Sequence, residues 1–393
     1  MRIEYLELRN FRLFRRAKWS KLSPFTVIVG ANGSGKSTFF DALSFLKECL
    51  TENVSQAVAR RGGLRELVSR SDGGPVGITV KFRESGGRLA TYLLEIADRD
   101  GRPIVGREIL RYTRRHGRAG RPWHFLDFSM GRGTAITNEA AYGQEGATEQ
   151  REERVLDDPS TLAIKGLGQF REFPVVSEFR GLLENWHISD FQISSARQSS
   201  DAGLSEHLST RGDDVAQAAA YLYEQHPDQF QRILNVMRQR VPGVTRVEAR
   251  ATEDGRLVLR FQDGSFQDPF IARYVSDGTI KMFAYLILLH DPKPHPVLAV
   301  EEPENQLYPR LLSELVEEFR DYARRGGQVF VSTHSPEFLN GASLEEIYWL
   351  EKKNGFATVQ RAADRDLLRR LIEEGDRPGE LWKQGLFEGA DPR

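Results

Sequence analysis

A mixed α/β fold is what the sequence predicts, with an α/β core built from both ends of the chain and two lobes between them, one antiparallel β and one helical. Three observations carry this reading. Residues 25–50 run as a buried strand, a glycine loop and an amphipathic helix. Residues 78–128 alternate in short apolar runs separated by turns such as Glu84-Ser85-Gly86-Gly87 and Asp98-Arg99-Asp100-Gly101. An α/β pattern resumes at Gly278, passing through a strand at Val297–Val300, a helix from Leu311 and a strand at Val329–Ser332.

Each element follows from its residues. Ile3 to Leu8 largely alternates apolar and charged side chains, as a half-buried strand does. Phe25-Thr26-Val27-Ile28-Val29 is a β-branched run suited to a fully buried strand, and Phe39, Ala42, Leu43, Leu46 and Leu50 then recur at helical spacing. Antiparallel strands are expected at Ile78–Phe82, Leu89–Ile96, Val105–Tyr112 and Trp123–Phe128. From Gly131 to about Arg154 hydrophobicity falls away and a mobile loop is expected. Val176, Phe179, Leu182, Leu183 and Trp186 mark an amphipathic helix, residues 204–240 read as largely helical with a break at Pro227, and Leu257–Phe261 reads as a strand. The expected division is residues 1–130 for the first core lobe with its antiparallel part, 131–270 for the insertion and helical lobe, 271–362 for the second core lobe and 363–393 for a tail.

Composition narrows the function classes. With 55 Lys and Arg against 56 Asp and Glu in 393 residues, the overall charge points to no polyanionic partner, so a nucleic-acid site would be a local patch. The single cysteine, Cys49, fits a reducing cytoplasm. The charged start (Arg2, Glu4, Glu7, Arg9, Arg12) is unlike a signal peptide. The longest apolar run, Met282–Leu289, falls far short of the ~20 residues that span a bilayer. A soluble, cytoplasmic protein with no membrane partner is expected.

Four constellations carry chemistry. Gly30-Ala31-Asn32-Gly33-Ser34-Gly35-Lys36-Ser37 matches GxxxxGK[ST]. Its glycines let backbone N–H groups curl around phosphate oxygens, with Asn32, Gly33, Ser34, Gly35 and Thr38 lining the loop and the following helix offering its positive end. Lys36 would neutralise the β- and γ-phosphates and Ser37 would ligate Mg²⁺. Second, the apolar strand from Val297 ends in Glu301-Glu302-Pro303-Glu304. Glu301 suits Mg²⁺ and Glu302 suits the attacking water, provided the chain turns there, because adjacent strand residues point to opposite faces. Third, Thr333-His334 follows Val329-Phe330-Val331, and a histidine at a strand's C-terminal end can reach a γ-phosphate or its attacking water. Fourth, Ser276-Asp277-Gly278-Thr279 opens an apolar helix, either as a plain N-cap or as an anion site using Ser276 and the backbone at Gly278.

Together these motifs resemble the ABC ATPase superfamily, with Walker A at Gly30–Ser37, signature at Ser276–Thr279, Walker B at Val297–Glu302 and a switch histidine at His334. The resemblance implies a P-loop NTPase of the ABC-ATPase head type, a RecA-like core with an antiparallel β lobe and an inserted helical lobe. Leu8-Arg9-Asn10-Phe11-Arg12-Leu13-Phe14 is similar to the start of the SMC/RecF-like branch, whose basic residue contacts nucleotide; here that is Arg12. Glu302-Pro303-Glu304-Asn305-Gln306-Leu307-Tyr308-Pro309, Ser332-Thr333-His334-Ser335-Pro336 and Gly379-Glu380-Leu381-Trp382 look like stand-alone members of the overcoming-lysogenization-defect (OLD)-like bacterial ATPases. The implied reaction is ATP hydrolysis to ADP and phosphate, with Lys36, Glu302 and His334 catalytic. The implied cofactors are ATP and Mg²⁺, the metal held by Ser37, Glu301 and, at the Q-loop position, Gln192. Such heads sandwich ATP between two copies, so an ATP-promoted homodimer is expected. Glu301 departs from the usual Asp, and Asp277 from the usual signature glycine. About thirty residues follow Arg361, too few for the Toprim domain of OLD nucleases, so no intrinsic nuclease is expected.

Arg111, Arg114, Arg115, Arg118 and Arg121 flank a turn near Tyr112 and Trp123, and Arg60, Arg61, Arg65 and Arg70 form a second basic set. Either could track a phosphate backbone or be ordinary solvated surface. The expected roles are a DNA-acting ATPase of repair, recombination or phage defence, with double-stranded DNA as partner, or a nucleotide switch that recruits an effector protein. A transporter subunit is disfavoured by the Asn10-Phe11-Arg12 start and the divergent signature.

Overall fold

The computed structural model describes residues 1–70, 73–112, 123–141 and 148–388. They fall into two compact units: Met1–Trp186, Leu344–Asp376 and Leu381–Arg393 form the first, His187–Ser343 and Arg377–Glu380 the second.

The first unit contains an eight-stranded antiparallel sheet in the order Phe14–Ser20, Arg2–Phe11, Val76–Arg83, Leu89–Arg99, Arg102–Tyr112, His124–Ser129, Arg132–Ile136, Arg151–Val155. The pleat sends alternate side chains to opposite faces. Ile78, Val80, Phe82, Tyr92 and Leu94 are buried, and Phe179 of the helix Pro174–Glu184 stacks on Phe82 at 4.5 Å between ring centroids. The other face carries Glu7, Arg9, Arg16, Thr79, Lys81 and Glu95 around a shallow cavity of about 510 Å³. Phe25–Gly30 is buried throughout and runs parallel to Ile347–Lys353, which pairs antiparallel with Phe356–Arg361. The helix Lys36–Thr51 buries Phe39, Ala42, Leu43, Leu46 and Leu50, the stripe its spacing predicts.

In the second unit, His187–Ser189, Val297–Glu301 and Gln328–Thr333 run parallel. Parallel strands are covered on both faces, and the unbroken runs Val297-Leu298-Ala299-Val300 and Val329-Phe330-Val331 reflect that. The helix Asp277–Leu289 is buried from Thr279 onward, and Arg310–Arg324 turns Leu312, Leu315, Val316 and Phe319 inward. A small antiparallel sheet (Val244–Ala251, Arg256–Asp263, Ser200–Asp201, Phe270–Ile271) packs with the helices Val215–Gln225 and Pro227–Arg240.

Several expectations change. Residues 131–154 are not wholly loop: Arg132–Ile136 pairs with Arg151–Val155, from Arg132 opposite Val155 to Ile136 opposite Arg151. The outer strand Arg-Glu-Glu-Arg-Val is exposed along its length and is specified by backbone pairing, which hydrophobicity cannot report. Residues 204–214 form turns rather than helix. Asp214 holds them, accepting from Ser205 Oγ at 2.8 Å and Ser209 N at 2.8 Å. The break at Pro227 stands, with proline in the first turn of the second helix. Three members of the second basic set form ion pairs, and Arg65 is exposed. Arg61 is buried between Asp41 (2.8 Å) and Glu48 (2.7 Å), Arg60 pairs with Glu52, and Arg70 pairs with Glu66. Arg114, Arg115, Arg118 and Arg121 lie outside the described residues. Tyr112 and Trp123 are core residues, 2% and 3% exposed, and so cannot stack on bases. Among the described residues no helix is long and apolar enough to cross a membrane.

The sheet also buries a carboxyl. Glu108 receives Ala163 N–H, Ile164 N–H (3.1 Å) and Tyr92 O–H (3.1 Å), yet burial outweighs these donors and pushes its pKa up to about 7. Burial likewise pushes Glu139 up to about 7 against one backbone donor, Val175 N–H. The folded state thus holds these protons more tightly than the unfolded chain, and that stabilisation is lost as pH rises through the folded value. Urea-unfolding stability should therefore fall between about pH 5 and about pH 8, with Glu108 contributing on the order of 3 kcal/mol. Glu108→Gln should flatten that slope, and an unchanged slope would show that Glu108 does not titrate in this window.

Candidate functional site

The phosphate loop lies in the first unit, between Phe25–Gly30 and the helix Lys36–Thr51. A β-carbon on Gly30 would sit 2.5 Å from Ser34 Oγ and 2.7 Å from the Leu350 carbonyl. Gly35 has φ +111°, and a side chain there would press on Phe14 and Ala357, each at 3.2 Å. Phe14 of the opening segment therefore backs the loop, edge-on to Trp19, which packs on Phe39 at 4.8 Å. The Lys36 ammonium lies folded against the loop, donating to the Gly30 carbonyl at 2.7 Å and the Ala31 carbonyl at 3.3 Å. Asn32, Gly33 and Ser37 are exposed, whereas Ser34, Gly35 and Thr38 are buried. Ser34 Oγ is buried with no hydrogen-bond partner among the described residues. A buried hydroxyl without a partner is costly, and a phosphate oxygen would satisfy it. Arg12 sits in a left-handed turn (φ +45°) and pairs with Asp41 of the loop helix at 3.1 Å.

The acidic constellation lies in the second unit. Glu301 ends its strand opposite Ser332. The chain then reverses at Glu302, whose φ of +44° is left-handed for a residue with a β-carbon. The turn the acid pair required is thus present, and Glu302 N–H donates to the Ser332 carbonyl at 2.9 Å. Asn305 Nδ2 donates to Glu302 Oε2 at 3.1 Å. His334 Nδ1 lies 3.4 Å from Glu302 Oε1 and 3.3 Å from Glu304 Oε1. The half-exposed imidazole is therefore poised between a half-exposed and a buried carboxylate.

Three participants had no role assigned from the sequence. Glu304 Oε1 accepts from Thr333 Oγ1 (2.7 Å) and from His334 N–H (2.8 Å), fixing the turn that presents the imidazole. Lys281 donates to the Asn305 carbonyl at 2.8 Å; burial pushes its pKa down to about 8, against the pull of Glu304 and Glu302. Its signal was a lone lysine inside an otherwise apolar helix. Arg197 pairs with Asp277 and donates to the Val275 carbonyl at 2.6 Å, so the acid that departs from the usual signature is already neutralised. Ser276 caps the helix, accepting from Thr279 N–H at 3.3 Å, as the plain N-cap reading requires. A β-carbon on Gly278 would lie 2.8 Å from the Gln306 carbonyl, so glycine lets the acidic loop pack on this helix. Gln192 is exposed just past the end of His187–Ser189, its side chain 3.4 Å from Asp190.

These arrangements define a P-loop ATPase head of mixed α/β build with antiparallel sheets. Solved structures agree on the fold. An SMC head bound to the C-terminal winged-helix domain of ScpA aligns with TM-score 0.58 at 16% identity, covering 92% of this chain and 97% of that one. An Smc head with an extended coiled coil, bound to the C-terminal domain of ScpA derived from Pyrococcus furiosus, aligns with TM-score 0.56 at 14% identity, covering 95% and 99%. No curated protein matches the chain by sequence. The family model described as "AAA domain, putative AbiEii toxin, Type IV TA system" matches residues 25–340, more than half of the chain, and the chain belongs to that family.

The Glu304 contacts make a structural prediction. Glu304→Ala leaves Thr333 Oγ1 and His334 N–H without their acceptor, a loss of roughly 1–3 kcal/mol of unfolding free energy in urea titrations. Glu302→Gln, at a half-exposed position, should move it by no more than about 0.5 kcal/mol. Equal effects of the two changes would remove the structural role of Glu304.

Proposed function

We propose that the chain binds ATP and hydrolyses it to ADP and phosphate, and that two copies act together. The observation that carries this reading is the Glu302–His334–Glu304 constellation at the ends of parallel strands, together with a phosphate loop of full motif. Lys36 would exchange its carbonyl partners for β- and γ-phosphate oxygens, and Ser34 Oγ would gain an acceptor. The backbone N–H groups from Asn32 to Thr38 would hold the remaining phosphate charge. Glu302 would orient water and accept its proton as the water oxygen bonds to the γ-phosphorus and the bond to the β–γ bridging oxygen breaks. His334 would contact the γ-phosphate, its position set by Glu304. Ser37, Glu301 and Gln192 are oxygen donors of the kind Mg²⁺ takes, and when bound the ion offsets phosphate charge. Arg12 would approach the nucleotide from its turn beside the loop helix.

In the proposed homodimer, Ser276 and Gly278 of one copy meet the ATP held by the other. Tyr274 and Tyr308, 73% and 70% exposed, flank the signature and the acidic loop and would be covered by it. Double-stranded DNA is the proposed polymer partner. Arg9, Arg16, Lys81, Arg107 and Arg111 outnumber Glu7 and Glu95 around the groove on the open sheet face, so the groove rather than the Tyr112–Trp123 turn is the favoured track. A defence or repair setting in the cytoplasm belongs to the same proposal. A second reading is a nucleotide switch whose dimer recruits an effector protein; two SMC heads similar in fold are each bound to a ScpA domain.

Steady-state ATP hydrolysis with and without duplex DNA decides between them. Lys36→Ala should weaken ATP binding at least about 10-fold, whereas Glu302→Gln should keep binding, lose turnover by about 100-fold or more and accumulate an ATP-bound dimer on size-exclusion chromatography. Normal turnover by Glu302→Gln would sink the catalytic assignment, and turnover indifferent to DNA would favour the switch. Replacing Lys81 and Arg111 together with alanine should weaken duplex binding and lower the salt slope by about one per lost phosphate contact. Unchanged DNA affinity in that variant would exclude the groove.

A further inference from the structure

We propose that the second unit carries a transition-metal site of the Zn²⁺ class, built by His207, Asp291 and His295. One ligand atom from each lies within 4.8 Å of those of the other two. They converge from separate segments: His207 from the turns before the helix Val215–Gln225, and Asp291 and His295 from the link between the helix Asp277–Leu289 and the strand Val297–Glu301. That link reads Asp291-Pro292-Lys293-Pro294-His295, and two prolines with fixed φ preset the separation of its ligands.

Each ligand is oriented. Asp291 is 5% exposed; its Oδ1 accepts from Lys293 N–H at 2.8 Å, while Oδ2 meets His207 Nδ1 at 2.7 Å. The Tyr322 hydroxyl donates to the His295 carbonyl at 2.8 Å and anchors that backbone. The His187 ring lies 4.8 Å from that of His295 and the His207 ring 5.0 Å, so the His295 imidazole sits against two others. Lys293 reaches out to Glu206 at 3.3 Å, and so its ammonium engages another acid than Asp291. Two imidazoles and one carboxylate form a borderline donor set that suits Zn²⁺ and leaves a fourth position for water. A tetrahedral ion about 2.1 Å from each ligand needs ligand atoms roughly 3.4 Å apart. His207 Nδ1 and Asp291 Oδ2, now 2.7 Å apart, would exchange their hydrogen bond for the ion and part slightly, while the widest pair, at most 4.8 Å, would draw in. His207, 40% exposed on a turn, is the ligand with room to adjust.

The site stands apart from the ATP chemistry. His295 precedes the strand whose other end carries Glu301, six residues on, a span of roughly 20 Å at strand rise. A cation there would tie the turn-built segment around His207 to the N-terminal edge of the parallel strands. This inference does not rest on the proposed ATP hydrolysis.

The test uses the full chain, stripped with chelator and held in excess Mg²⁺. Calorimetric titration with Zn²⁺ should show one equivalent bound and a higher Tm. His207→Ala and Asp291→Asn should each weaken binding at least about 10-fold, and Glu302→Gln should leave it unchanged. Co²⁺ should give the intense visible bands of a four-coordinate site in the parent chain and lose them in His207→Ala. That variant alters a half-exposed side chain, so it keeps the test decisive should Asp291→Asn fail to fold. Absence of stoichiometric Zn²⁺ binding, or equal affinity in the parent and His207→Ala, would overturn the site.

Discussion

The reversal of the chain at Glu302 is the constraint on which the acidic site depends. A strand delivers neighbouring side chains to opposite faces, so Glu301 and Glu302 can serve one site only if the backbone turns between them. The turn is held in the left-handed region at φ +44°, a conformation that costs of order a kcal/mol or more in a residue with a β-carbon. It persists because Glu302 N–H bonds to Ser332 and the buried Glu304 carboxylate ties Thr333 and His334 to the same loop. Strand end, acid and imidazole are thereby fixed as one piece. Lys281 completes it from the neighbouring helix by holding the Asn305 carbonyl, at the cost of a desolvated ammonium.

The phosphate loop shows a parallel economy in the first unit. Gly30 and Gly35 are required by close neighbours, Ser34 and Leu350 in one case, Phe14 and Ala357 in the other. Phe14 arrives from the hairpin that also carries Arg12, so the opening segment both supports the loop and supplies a cation beside it. The loop helix is further pinned by Arg61 through Asp41 and Glu48. Arg61 thus became internal structure, while the open sheet face kept cations beside a cavity.

Charge at the start of the helix Asp277–Leu289 is also settled by packing. Asp277 stands where glycine is usual in the superfamily it resembles, and Arg197, eighty positions earlier, neutralises it. The helix it opens therefore presents Ser276 and Gly278 without a net negative charge from its first turn, and Gly278 admits the Gln306 carbonyl of the acidic loop.

The sequence alone determined the local elements whose chemistry is contiguous. These are the glycine loop between a buried strand and a helix, the apolar strand ending in acids, the histidine after its neighbour, and the helix stripes at Phe39–Leu50 and Val176–Leu183. Each is written in residue type and period over a few turns or one strand. Only the tertiary structure decided what depends on distant partners. The exposed edge strand Arg151–Val155 exists through backbone pairing. Arg61 is buried because two acids meet it. Lys281, Glu304 and Arg197 acquire roles through contacts that sequence spacing does not encode. His207 comes to Asp291 across 84 positions in the same way. A hydrogen bond or ion pair between remote residues leaves no periodic trace in either segment, and for that reason the local elements were legible and their supports were not.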